Sequence, residues 1–529
     1  MLCKKGPDWA LFCFRTHIGP ASFAGLQLCL IGVKLLIDHR YVTLLTKEGG
    51  KLDRVDNLQL VASQMQQVFN RQQAHYRLNP SPSKNERIEH LHVLEEILLR
   101  HETDLINALS DDYGYRSRHE STMLDIVSAL ATIRHNRKHV GQWMKPRPVA
   151  TPLQLRPSVS YIQPQPLGVV GIITAWNFPV YMSFAGLASA LAAGNCCMLK
   201  PSEHTPRTSA LMARLLESSF GQELVAVIEG DVHVATAFSK LPFDHLTFVG
   251  SQRVGRLVAL AAAENLTPVT LELGGKSPLI IAPSGSIEQA AACAVQGKMI
   301  NAGQVCVSPD HVYVPRAKFD AFVQAVRLEA HKQYPSVQDN PDVSCVINNR
   351  QMARLYDLRA DARLQGAEVV EINPANEPFD AERRKFPLTL VLKPTPTMRV
   401  MQEEVFGPIL PVIAYDDLQE LVGGLQTKAR PLALYLFVRK QAEKDLVLSN
   451  TVSGGVTVND AMWHVMNNNM PFGGVGASGM GAYHGKAGFD NLSQLKPVLE
   501  QARVNAAPLL RAPYGTLFEK VVTVLKKIV

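Results

Sequence analysis

No two cysteines in this chain are spaced as CxxC, and all eight (Cys3, Cys13, Cys29, Cys196, Cys197, Cys293, Cys306 and Cys345) are spread through 529 residues. That spacing excludes a zinc-finger or ribbon site and the dense disulfide framework of a small secreted domain. No metal site is expected. Dense basic blocks are missing as well. The net charge of +7 comes from 54 Lys and Arg against 47 Asp and Glu scattered along the chain, which leaves a nucleic-acid partner without support. A content of 46% hydrophobic and 19% charged residues is ordinary for a soluble globular protein. Long apolar runs are scarce. Ile18 to Ile37 is mostly apolar but is broken by Pro20, Gln27 and Lys34, which weakens a membrane-span reading despite sufficient length. Residues 1–55 are therefore read as a non-native or mis-started extension that adds nothing to the fold, with a membrane anchor as the alternative.

The length calls for more than one ordinary domain. From Asp56 to about Met144 the apolar residues recur at helical spacing, as in Val61, Met65, Val68 and Phe69, and again in Leu91, Leu94, Leu98, Leu105 and Leu109. Pro146, Pro148 and Pro152 then end the helices. Leu153 to Gln163 reads as an extended hairpin with Pro157 between its arms. From Gly168 to Ile280, and again from Ile287 to about Met462, short apolar runs alternate with helical stretches. That alternation predicts parallel sheets covered by helices, an α/β fold. Thr516 to Val529 reads as an amphipathic helix with Leu517, Phe518, Val521, Val522, Leu525 and Ile528 on one face. It is expected to pack on the protein's own surface or across a dimer, with contact to an anionic membrane surface as the alternative.

Two residues carry the chemistry. Cys306 lies in Asn301-Ala302-Gly303-Gln304-Val305-Cys306, and Glu272 in Leu271-Glu272-Leu273-Gly274-Gly275-Lys276. A thiolate nucleophile needs a second group to activate the water that hydrolyses its covalent intermediate. Glycines beside both residues let the backbone approach a substrate closely. Taken singly, a free Cys is usually a small buried hydrophobe and a Glu a solvated surface charge. Their claim rests on the motifs around them.

Those motifs follow in order along the chain. They are Pro166-Leu167-Gly168-Val169-Val170-Gly171 leading to Thr174-Ala175-Trp176-Asn177-Phe178-Pro179, then Gly194 through Lys200-Pro201-Ser202-Glu203. Phe248-Val249-Gly250-Ser251 follows, then Glu403-Glu404-Val405-Phe406-Gly407-Pro408, and Pro471-Phe472-Gly473-Gly474-Val475-Gly476-Ala477-Ser478-Gly479. On these residues the chain resembles the aldehyde dehydrogenase superfamily from about Leu58 to about Val498. Val307-Ser308-Pro309-Asp310 after the cysteine, with Tyr483-His484-Gly485, is similar to the branch of class 3, fatty-aldehyde and coniferyl-aldehyde dehydrogenases. Gly474 to Gly479 also fits G-x-G-x-x-G, but it follows no βαβ start and is read as a loop against the active site.

The resemblance implies an NAD-dependent oxidation of an aldehyde to its carboxylic acid, with NADP as the alternative cofactor. It implies two Rossmann-type parallel-sheet domains and a β-hairpin oligomerisation arm. Residues 56–145 and 164–274 would bind the cofactor, 275–478 would be catalytic, 146–163 and 479–510 would form the arm, and 511–529 the terminal helix. Cys306 would be the nucleophile, Glu272 the general base and Asn177 an oxyanion donor. Trp176, Lys200, Glu203, Gly250, Ser251, Val254, Glu404 and Phe406 would hold the cofactor. A carboxylate at Glu203 suits a ribose 2′-OH and repels a 2′-phosphate. Val249 departs from the Thr usual before Gly-Ser and touches only local packing. Tyr181, Met182 and Trp463 at the substrate entry favour aromatic or long-chain aldehydes. A cytoplasmic homodimer with a small-molecule aldehyde substrate is expected. The rival is a non-catalytic binding protein on the same fold, against which the intact set Cys306, Glu272 and Asn177 argues.

Overall fold

The computed structural model describes residues 29–30, 33–38, 41–46, 51–505 and 507–528. The chain divides into two units, Met1–Leu60 and Val61–Val529. In the first, Cys29–Leu30, Val33–Asp38 and Tyr41–Thr46 form a three-stranded antiparallel sheet. The reading of residues 1–55 as an extension otherwise falls outside the described residues. No helix among the described residues is long and apolar enough to cross a membrane.

In the second unit the expected helical region resolves into Lys84–Arg100, Glu102–Tyr113 and Ser128–Trp143, preceded by Lys51–Leu78. Ser83 caps the helix Lys84–Arg100 with a reciprocal bond to Glu86, whose carboxylate accepts from the Ser83 N–H at 2.6 Å. Leu91, Leu94, Leu98, Leu105 and Leu109 are fully buried, as their spacing requires.

A six-stranded sheet follows, ordered Gly479–Met480, Val269–Glu272, His245–Val249, Val169–Ile173, Cys196–Lys200, Val225–Val227. All pairs are parallel except the first. The strands His245–Val249, Val169–Ile173 and Cys196–Lys200 are buried along their whole length, which is why they read as apolar runs without alternation. From Val169–Ile173 the chain goes first to one side of the sheet and then returns to the other. The crevice at this reversal opens beyond Ile173 and Val249, where open α/β sheets bind ligands. Trp176-Asn177 and Gly250-Ser251 follow those two strand ends directly.

A seven-stranded sheet, ordered Glu368–Glu371, Thr389–Leu392, Ile409–Tyr415, His311–Pro315, Pro278–Ile281, Ala433–Phe437, Gly455–Val458, carries the second alternating stretch. It too is parallel apart from its first strand. The third sheet joins Ser493–Glu500, Val159–Pro166 and Arg147–Val149. Here the expected hairpin is corrected. Its arms are Arg147–Val149 and Val159–Pro166, and residues 150–158 form the link, with a 3-10 turn at Leu153–Leu155. Pro152 and Pro157 have no N–H to give a ladder, so the pairing starts on either side of them. The terminal helix forms at Thr516–Ile528 and packs on the turn Ala507–Leu510, with Leu517 and Val524 left exposed.

The Gly-rich loop seats its last strand on the strand that ends at Glu272. Glu272 pairs with Gly479 and Leu271 with Met480, and the Leu273 N–H donates to the Ser478 carbonyl at 3.0 Å. Gly479 has φ +144, and a Cβ there would lie 2.0 Å from the Leu271 carbonyl oxygen. Gly479→Ala is expected to lower stability by about 1–3 kcal/mol, the usual range for a strained backbone position. Chemical denaturation checks this, and an unchanged midpoint would show that the close approach is dispensable.

Candidate active site

Helix Ile287–Met299 ends in a turn of three consecutive left-handed residues, Asn301 (φ 48°), Ala302 (φ 51°) and Gly303 (φ 68°). Left-handed backbone is uncommon for residues other than glycine, so the turn must be held from outside. Gln304 does part of this. Its side-chain amide donates to the Asn301 carbonyl at 2.9 Å and the Cys345 carbonyl at 3.1 Å, and its oxygen accepts from the Ile347 N–H at 2.9 Å. A Cβ on Gly303 would lie 2.6 Å from the Gly407 backbone, so the turn also packs against the segment that carries Glu404 and Phe406. Cys306 follows in the next turn, half-buried.

Asn177 is tied to this loop from both ends. Its amide donates to the Gln304 carbonyl at 3.1 Å, and its own carbonyl accepts from the Asn301 amide at 3.1 Å. A primary amide has two N–H donors, and only one of those of Asn177 is engaged among the described residues. The other is free for a ligand.

Glu272 ends the strand Val269–Glu272 with 2% exposure, and its Oε1 has no hydrogen-bond partner. Burial pushes its carboxyl up to about 7, opposed only by the hydrogen bond of the Cys306 thiol. Burial and the adjacent Glu272 carboxylate raise the thiol in turn, well above its ordinary value. The resting sulfur is thus a thiol rather than the free thiolate that the nucleophilic role calls for. The group placed to take its proton is Glu272.

Two cavities meet at this sulfur. Cys306 and Met182 line both. One, of about 290 Å³, is walled by Met123, Leu124, Phe178, Tyr181, Trp463 and neighbouring apolar residues, with no charged side chain. The other, of about 300 Å³, is polar and brings together Trp176, Asn177, Gly250, Ser251, Glu272, Glu404 and Phe406. The substrate-entry residues Tyr181, Met182 and Trp463 lie together in the first cavity, as the sequence led us to expect.

The polar cavity has the features a dinucleotide needs. Ser251 caps the helix Gln252–Ala263, accepting from the Val254 N–H at 3.4 Å, so a helix N-terminus opens beside Gly250 where a pyrophosphate can meet free N–H groups. At Gly274 a Cβ would lie 2.7 Å from Glu404 Oε1, so glycine is what lets that carboxyl reach in. Burial pushes Glu404 up to about 8. Phe406 stands edge-on to Trp176 with ring centres 5.4 Å apart. Lys200, Glu203 and Val254 do not line this cavity. Lys200 is buried at the end of its strand, its ammonium on the Pro201 carbonyl at 2.5 Å. Glu203 is exposed just beyond it, and Val254 lies in the first helical turn.

Sequence reasoning missed Arg354 and Gln351, which line the polar cavity. Arg354 donates to the Glu404 carbonyl at 3.1 Å and to the Val405 carbonyl. It also missed the pair Lys276–Asp310, 2.5 Å apart. The signal for that pair was present, since each member stands four residues beyond Glu272 or Cys306. Arg354 has no local signal.

The sequence matches the aldehyde dehydrogenase family over residues 59–498. The chain belongs to this family. A coniferyl aldehyde dehydrogenase from a Pseudomonas species is 44% identical over 431 residues, covering 81% of this chain and 89% of that protein. Staphylococcus aureus AldH in its substrate-bound state superposes with a TM-score of 0.82 at 34% identity, covering 87% of this chain and 99% of that one. A Mycobacterium tuberculosis aldehyde dehydrogenase complexed with NAD+ gives 0.75 at 26% identity, covering 84% and 91%. The chain is therefore an oxidoreductase that converts aldehydes to carboxylic acids, on the α/β fold its motifs led us to expect.

One consequence of the site's electrostatics reaches stability. A carboxyl raised from 4.5 to about 7 on folding leaves the folded state unaffected below pH 4.5 and costs it progressively between pH 4.5 and 7, by about 3 kcal/mol above that. Glu272→Gln removes the cost. Its melting temperature should exceed wild type at pH 8 and equal it at pH 4, and a gap independent of pH would contradict the assignment.

Proposed function

We propose that the chain oxidises an apolar, aromatic aldehyde of the coniferyl type with NAD, using Cys306 as nucleophile. The observation that supports this is the single sulfur shared by an apolar cavity and a polar one. Aldehyde enters the first and dinucleotide the second, so the carbonyl carbon and the hydride acceptor approach Cys306 from opposite sides. Glu272 takes the thiol proton, and the sulfur adds to the carbonyl carbon. The free N–H of the Asn177 amide and the Cys306 backbone N–H donate to the oxyanion of the thiohemiacetal, a type of contact whose removal typically costs about 10²–10³ in rate. The bound dinucleotide supplies the two-electron acceptor. Glu272 then deprotonates the water that hydrolyses the thioester, which frees the acid and restores the thiol. A carboxylate in this position favours hydrolysis over transfer to coenzyme A.

Trp176, Gly250, Ser251, Glu404 and Phe406 hold the cofactor. Lys200 and Glu203 reach its adenosine ribose from the adjoining strand end, with Val254 under the adenine. Glu203 favours NAD over NADP. The aldehyde is of aromatic or long-chain type because its cavity offers methionine and aromatic side chains and no cation for a second carboxylate. Of these two, the Pseudomonas relative favours the aromatic. The strand Ser493–Glu500 presents an unpaired edge beside the hairpin, and pairing of that edge with a second copy in a homodimer would cover it. A nucleophilic thiol requires a reducing compartment such as the cytoplasm.

NAD reduction with acetaldehyde, octanal, cinnamaldehyde and coniferyl aldehyde tests the substrate, and highest kcat/KM on the two aromatic aldehydes is expected. Cys306→Ala should abolish turnover and leave NAD binding near wild type. Retained turnover would remove the mechanism.

The pH profile follows from Glu272. Steady turnover should rise about tenfold per pH unit below 7 and level off above it, since the carboxylate is the active form. In Glu272→Gln that rise should vanish. If Glu272 acts chiefly on water, a pre-steady-state burst of NADH survives in the variant. If the burst is lost as well, Glu272 also activates the thiol.

A further inference from the structure

The segment from Arg116 to Asp125 contains three charged residues buried together behind the site. The Arg116 guanidinium lies 2.8 Å from the Asp125 carboxylate, and both side chains are fully buried. Asp125 Oδ1 accepts from the Val180 N–H at 3.1 Å and the Tyr181 N–H at 3.0 Å. These are first-turn donors of the helix Pro179–Ala193, which starts two residues after Asn177. Glu120 faces the other way. Its Oε2 accepts from the Asn301 N–H at 3.1 Å and from the Ser344 hydroxyl at 2.6 Å. The Ser344 hydroxyl oxygen in turn accepts from the Ser117 N–H at 3.0 Å. One short stretch of chain therefore grips both the segment bearing the oxyanion donor and the left-handed turn before the nucleophile.

Burial pushes the Glu120 carboxyl up to about 7, so an acid is kept where solvation disfavours its charge. The Asn301 N–H it receives belongs to the first of the three left-handed residues. Such backbone persists only where its surroundings fix it, and Glu120 supplies a fixed acceptor at its first peptide. Met123 and Leu124, in the π-helical turn Ser121–Val127, line the apolar cavity. π-Turns are frequent at functional sites, and this one connects the cavity wall to the loop anchor.

We propose that Glu120 is a positioning residue for the nucleophile, holding the Asn301–Gly303 turn through the Asn301 N–H and so setting where Cys306 stands between the two cavities. This rests on the reading of Cys306 as nucleophile. The test compares Glu120→Ala with Glu120→Gln in the full chain. It reads steady kinetics, KM for NAD, and the iodoacetamide alkylation rate of Cys306 followed on its own peptide. Glu120→Ala should lose about 10²-fold in kcat, the scale of an ångström-level misplacement, and alkylate Cys306 about tenfold more slowly, while KM for NAD stays within about threefold. Glu120→Gln keeps an oxygen that accepts both bonds and should stay within about threefold of wild type in every reading.

Wild-type turnover and alkylation in Glu120→Ala would overturn the proposal, as would equal damage in the Ala and Gln variants. If Glu120→Ala does not fold, Glu120→Asp, one methylene too short to reach, takes its place. It should fall as the Ala variant is expected to, and wild-type behaviour in it would be equally fatal. Failure of the underlying reading is separate, because it appears as turnover in Cys306→Ala rather than in any Glu120 variant.

Discussion

Lys276 directs its ammonium at three acceptors: Asp310 Oδ2 at 2.5 Å, the Val400 carbonyl at 2.8 Å and the Glu403 carbonyl at 2.9 Å. Asp310 returns its other oxygen to the Val405 N–H at 2.8 Å. Burial alone would raise the Asp310 carboxyl, but Lys276, His311 and Lys298 hold it well below the usual carboxylate range. The pair thereby ties three distant pieces of sequence, those carrying Glu272, Cys306 and Glu404, into one rigid corner. Removing either partner of such a pair leaves a buried charge uncompensated. The geometry of both cavities depends on its remaining whole.

Around that corner the site is built from groups that would be more stable elsewhere. Glu272 is buried with an orphan oxygen, Glu404 is pushed up to about 8, and Phe406 has a positive φ of 46°. These are the features expected where function rather than stability selects the residue. The surrounding structure offsets them with ordinary means: fully buried parallel strands, a capping box, and a glycine loop laid against the strand of the general base.

Much of this was legible in the sequence, for physical reasons that differ by element. The strands Val169–Ile173 and His245–Val249 are buried on both faces, so they appear as unbroken apolar runs. The helices carry their leucines at regular spacing because one face of each meets the core. The residues that line the cavities from the loops Trp176-Asn177, Gly250-Ser251, Glu272 and Cys306 sit in short local motifs. What escaped notice is nonlocal. Arg354 reaches the Glu404 loop from 50 positions away, and Glu120 reaches Asn301 from 181, so neither partner marks the other in the linear text. The hairpin was misplaced because apparent alternation after Pro152 outweighed the two prolines that forbid pairing there.

The apolar cavity has a further consequence once chemistry has occurred in it. An uncharged aldehyde loses little by leaving water for walls of methionine and aromatic rings. Its oxidised form carries a full negative charge, and no cationic side chain lines that chamber to receive it. A carboxylate held there would bear an unrepaid desolvation penalty. The compartment that welcomes the reactant is thus hostile to what the reactant becomes, and the turnover cycle acquires its direction from the walls as well as from the reagents.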